Sequence, residues 1–143
     1  MTRFLYIADT HWGADPMGYQ QQKGYPDKLP VILAALSTYL SARGDIDFIL
    51  HGGDMIDDAS DDTITAAAHA FTLDVPVYLC LGNHDLTAPD AVERWLTLAP
   101  QFFLNGSPDY TIASDDCVLH VAPNQWCEDP YYWDSTQQPH LSP

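Results

Sequence analysis

The chain has 143 residues, 46% of them hydrophobic and 17% charged, with 20 acidic side chains against 5 basic ones and a formal net charge of −15. That length fits one domain with a sizeable core, the composition is that of a folded chain, and the charge argues against nucleic-acid partners, because neutralising phosphates takes Lys and Arg. No apolar run is long enough to span a bilayer, no basic-then-apolar leader opens the chain, and Cys80, Cys117 and Cys127 are too few and scattered for a disulfide framework, so a cytoplasmic protein is expected.

In chain order, FLYIA (residues 4–8) is a short apolar strand bounded by polar residues. A Gly-, Pro- and Gln-rich loop leads to about residue 27. LPVILAALSTYLSAR (29–43) has helical length and an apolar stripe at Val31, Leu33, Leu36 and Leu40, with Pro30 suited to its first turn and Gly44 to its stop. DFILHGGD is a second strand ending in a Gly pair, TITAAAHAFTL (63–73) a second helix, and PVYLCLGNHD a third strand. PDAVERWLTL reads as a short helix, and DYTIA and CVLHVA, split by SDD, as an antiparallel hairpin; the tail from Asn124 shows no period. Near-continuous apolar strands alternating with helices predict a β-α-β-α-β unit, a parallel sheet covered by helices, within a single domain spanning 1–143. Right-handed crossovers then place all three strand ends on one edge.

Those ends carry the polar punctuation. Strand one runs into Asp9-Thr10-His11, strand two into Gly53-Asp54-Met55-Ile56-Asp57, and strand three into Gly82-Asn83-His84-Asp85. One rim would thus gather carboxylates, imidazoles and an amide, a donor set suited to hard or borderline divalent metals such as Mn, Fe or Zn. Glycines before Asp54 and Asn83 permit sharp turns and close approach. Asp9 and His11, two apart on an extended segment, are expected to point to one side. Each residue alone reads as ordinary turn chemistry; three such motifs at three successive strand ends do not. Of the acidic run DMIDDASDD (54–62), most is expected to be solvated surface and a few carboxylates to be offset by cations.

D-x-H, G-D-x-x-D and G-N-H-D, in this order, resemble the calcineurin-like metallophosphoesterase superfamily, and more loosely its cyclic-nucleotide phosphodiesterase-like bacterial branch. The resemblance implies an α/β fold, the N-terminal β-α-β-α-β part of a four-layer αββα sandwich. It further implies a phosphoesterase, most specifically a phosphodiesterase, in which two divalent ions activate a bridging water and clamp the phosphoryl oxygens. Asp9 and His11 would bind the first ion, Asp54 both, and Asn83 the second. His84 would protonate the leaving oxygen, with Asp85 orienting its ring and Asp57 supporting the loop. The substrate would be a small phosphate ester or nucleotide.

The family's later metal-binding histidines are not matched, so the C-terminal portion of the domain is expected to be missing. A companion C-terminal half or a homo-oligomer would then cover an apolar sheet face. The competing reading is a truncated or pseudoenzyme form with a partial metal site, inactive alone or acting by binding a partner. A nucleotide-binding domain without metal is disfavoured, since neither GxGxxG nor GxxxxGK occurs. Other features read two ways: His51 as a packed strand-end residue or a support behind the ligands; Trp12, Tyr19 and Tyr25 as loop packing or a stacking platform; Trp126, Tyr131, Tyr132 and Trp133 as rim cover or packing.

Overall fold

The computed structural model describes residues 1–18, 24–123 and 132–136. Three parallel strands, β1 (Phe4–Ile7), β2 (Phe48–His51) and β3 (Val77–Leu79), form one sheet in the order β1-β2-β3. Phe4 lies opposite Phe48, and Leu50 opposite Tyr78. Helix α1 (Tyr25–Arg43) joins β1 to β2, and α2 (Asp61–Ala70) joins β2 to β3. The β-α-β-α-β order and the mixed α/β class follow the expectation, and no helix among the described residues is long and apolar enough to cross a membrane.

Alternation along in-register strands gives the sheet two faces. Ile49, His51, Val77 and Leu79 occupy one, all buried, with Phe71 at the end of α2 set edge-on against His51. Phe4, Tyr6, Phe48, Leu50 and Tyr78 occupy the other; Phe4 and Phe48 stack at 5.0 Å. That second face meets the antiparallel hairpin of β4 (Tyr110–Ala113) and β5 (Val118–Val121). The buried Tyr110 hydroxyl donates to the Leu79 carbonyl at 2.8 Å, and Thr2 at the start of the chain donates to Asp116 in the hairpin turn. The cover is partial: Phe4 is 37% exposed and Tyr6 63%.

Helix α1 begins earlier than its pattern predicts. Gly24, at φ 79°, turns the chain into it, Pro26 takes the first turn, and Pro30 therefore falls inside the helix. The stripe shifts accordingly. Leu29, Leu33 and Leu40 are buried, whereas Val31, expected to face the core, is 71% exposed. Residues 29, 33, 36 and 40 sit at i, i+4, i+7 and i+11, a truer helical face than one through Val31. Helix α2 starts two residues before its expected start because Ser60 caps it, accepting from the Thr63 N–H at 3.3 Å. The short third helix is α3 (Ala91–Leu98), whose Trp95 is fully buried and donates its indole N–H to the Asp85 carbonyl at 2.9 Å. Most of the tail from Asn124 lies outside the described residues.

Candidate metal centre

The strands end, but the pairing of their backbones continues. Beyond β1 and β2 the two loops run side by side, with N–H groups of Asp9, His11 and Trp12 donating to carbonyls of Gly53, Asp54 and Met55 at 2.8–3.0 Å. The third loop closes on them. The His84 N–H donates to Asp54 Oδ1 at 2.9 Å, and a Cβ added at Gly53 would stand 2.9 Å from the Gly82 backbone. A Cβ on Gly82 would fall on the Asp54 carboxylate. These glycines are where two loops touch, which is the close approach their absent side chains permit.

Asp9, His11 and Asp54 all have positive φ, at 56°, 45° and 52°. Asp9 and His11 do present ligand atoms on one side, as expected, but through left-handed turns and not through strand alternation. The left-handed region costs a non-glycine residue about 1–3 kcal/mol and concentrates at functional sites. Here the bonds between the loops hold it in place. As a result one ligand atom each from Asp9, His11 and Asp54 lie within 4.8 Å of one another. His11 Nε2 and Asp54 Oδ2 are 4.0 Å apart. Two carboxylates and an imidazole in this disposition fit a divalent ion, with oxygen and nitrogen donors of the Mn, Fe or Zn type.

A second group, His11, Asp57 and His84, shares His11 with the first. His11 Nδ1 lies 3.2 Å from Asp57 Oδ1, and His84 Nδ1 lies 3.0 Å from the Asp57 carbonyl and 3.6 Å from its Oδ1. Carboxylate and carbonyl oxygens only accept, so each imidazole must present Nδ1–H and leave Nε2 for other work. Asp57 therefore sets both rings, which is more than the loop support expected of it. The rings meet edge-on at 4.6 Å, and Trp133 lies 5.2 Å from His84, so that tryptophan covers the rim.

Asp85, expected to orient His84, is fully buried and turns elsewhere. Its carboxylate accepts from the backbone N–H of Met55 (2.9 Å), Ile56 (3.2 Å) and Gly82 (2.8 Å), tying the second loop to the third. Burial pushes its carboxyl up to about 7, against the pull of those N–H groups. Asn83 stands between Gly82 and His84 in the turn that docks on Asp54.

His51 is fully buried behind the rim. Its Nδ1 accepts from the Gly53 N–H at 3.3 Å, its Nε2 lies 2.9 Å from the Thr10 hydroxyl, and burial holds its pKa down to about 3. His69 is exposed on α2, and His120 pairs with Asp109 at 3.4 Å on the hairpin. Trp12 is held at the first loop by its backbone bond to Met55 and by a bridge to Ile56. Tyr19, Trp126, Cys127, Tyr131 and His140 lie outside the described residues. Sequence reasoning undervalued Asp57 and missed Thr10. Asp57 offered a signal as the second Asp of GDMID, whereas Thr10 offered none beyond its place between two ligands.

The family model for calcineurin-like phosphoesterases matches residues 2–135 of the chain. No curated protein matches it.

Proposed function

The chain belongs to the calcineurin-like phosphoesterase family, and from that premise we propose a metal-dependent phosphodiesterase acting at the rim of the three strand ends. The observation that carries this reading is the convergence of Asp9, His11 and Asp54 within 4.8 Å from separate loops, with His84 set beside them. Asp9, His11 and Asp54 would hold one ion, and Asp54 with Asn83 would serve a second. When bound, divalent ions supply Lewis acidity toward phosphoryl oxygens and a water of lowered pKa. The chain's own groups do the rest. Asp57 fixes the His11 ring with its Nε2 on the side of Asp54, and it holds the His84 ring so that its Nε2 hands a proton to the leaving oxygen. Asp85 keeps the second and third loops in register.

The test is hydrolysis of bis(4-nitrophenyl) phosphate with Mn²⁺, with bound metal measured on the same samples. Asp54→Ala should lose metal and turnover together. His84→Ala should keep metal while turnover falls about 100- to 10,000-fold, and Asp57→Asn should lower turnover with metal largely retained. Equal turnover after chelation would overturn the reading.

A second reading, a partial site that is inactive alone or acts through a partner, is favoured by one observation. Among the described residues, His11 and His84 are the histidines at the rim, while His51, His69 and His120 stand elsewhere. One bound ion and no turnover would select it. A companion polypeptide or a second copy belongs to either reading, resting on the exposure of Phe4 and Tyr6.

A further inference from the structure

Between Asp9 and His11 lies Thr10, a residue with no chemistry of its own at the rim, yet only 6% exposed. Its hydroxyl sits 2.9 Å from His51 Nε2 and 3.1 Å from the Met55 carbonyl. The roles of these three groups are fixed by elimination. The Gly53 N–H points at His51 Nδ1, 3.3 Å away, so that nitrogen accepts. A neutral imidazole that accepts at Nδ1 carries its proton on Nε2. His51 therefore donates to Thr10, and Thr10, having accepted, donates its own proton to the Met55 carbonyl. Every polar atom in this buried chain is satisfied in one direction only.

The chain of bonds passes beside all three proposed metal ligands, since its ends, Gly53 and Met55, flank Asp54. Gly53, at φ 114°, precedes Asp54, and Thr10 separates Asp9 from His11, each of the three ligands standing in the left-handed region. The backbone bonds already pair the two loops, and a side-chain tie behind them further limits how far these left-handed turns can shift against one another. His51 reaches both loops from the end of β2. We propose that His51 and Thr10 are positioning residues, forming a buried bracket that fixes the first loop against the second and so sets the spacing of Asp9, His11 and Asp54 for a divalent cation. The bracket touches neither ion nor substrate. It rests on the reading that those three residues hold metal.

Thr10→Val keeps the shape of the side chain and removes both hydroxyl bonds; Thr10→Ser keeps the hydroxyl. Dissociation constants for Mn²⁺, the visible spectrum of the Co²⁺-loaded protein and the unfolding midpoint of the metal-free protein are measured for the wild type and both variants. Thr10→Val is expected to weaken Mn²⁺ binding about tenfold or more, the range lost when supports behind metal ligands are removed, and to alter the Co²⁺ spectrum. Thr10→Ser is expected to restore both. His51→Phe should weaken binding likewise, and if it does not fold the Thr10 pair still decides. Wild-type affinity and spectrum in Thr10→Val, or a Thr10→Ser variant as weak as Thr10→Val, would overturn the bracket alone. A wild-type chain that binds no Mn²⁺ would overturn the metal site and the bracket with it.

Discussion

A histidine two residues before a ligand loop can be read as a ligand, a base or filler, and only its neighbours decide. His51 is buried with one ring nitrogen accepting and the other donating, so it works as a neutral hydrogen-bonding group. Burial sets its pKa near 3, against an ordinary 6.5. An unfolded chain takes up a proton at His51 near pH 6.5, and the folded chain does not until about pH 3, so in that window the unfolded state binds more protons. Its contribution to stability is present above pH 6.5 and lost as pH falls toward 3. Between about pH 6.5 and pH 5 this amounts to about 2 kcal/mol. Urea unfolding at about pH 7 and about pH 5 should therefore show the wild type losing about that much more stability than His51→Asn. An equal loss in the two proteins would mean that His51 takes up its proton without unfolding.

At the scale of elements, the site depends on how near the loops approach, and glycine sets that distance. Gly44 and Gly82 make the contrast. Gly44 ends α1 at φ 64° with nothing within 4 Å of where a Cβ would be, whereas a Cβ on Gly82 would meet the Asp54 carboxylate and backbone. Gly44→Ala should cost about 1–2 kcal/mol through its left-handed conformation and leave Mn²⁺ binding unchanged. Gly82→Ala has to push the second and third loops apart, at a cost of about 1–3 kcal/mol for overpacking, and should weaken Mn²⁺ binding. Thermal unfolding and Mn²⁺ titration on both variants check the pair. Intact Mn²⁺ binding in Gly82→Ala would show that Asp54 does not need this docking.

For the whole molecule the dominant feature is charge. Arg3 and Arg43 both pair with Asp45, and Arg94 pairs with Asp61 and Asp90, yet the formal net charge remains −15. Folding concentrates that charge and the compact state carries the repulsion. Raising KCl from about 0.1 M to about 1 M shortens the Debye length from roughly 10 Å to 3 Å and should raise the unfolding midpoint by about 5 °C, on the scale of 1 kcal/mol or more. A midpoint that stays flat or falls in a salt series would show that the repulsion does not limit stability.

The sequence by itself determined whatever depends on near neighbours. Apolar runs bounded by Gly and polar residues predicted three strands, three helices and a hairpin, and all seven form within a few residues of where the patterns place them. It also determined that Asp9, His11 and Asp54 would meet, because parallel strands joined by right-handed crossovers must end on one edge. Tertiary structure decided the rest. Whether Val31 or Leu29 faces the core depended on where Gly24 and Pro26 start α1. Asp57, rather than Asp85, holds His84, and Asp85 ties the loops through three backbone N–H groups. Thr10 became meaningful only beside His51, 41 residues away in the chain. The physical reason is the same in each case. Periodicity reports which face of an element is apolar, but a polar side chain takes its role from the donor or acceptor that folding puts within 3 Å of it, and that partner leaves no local trace in the sequence.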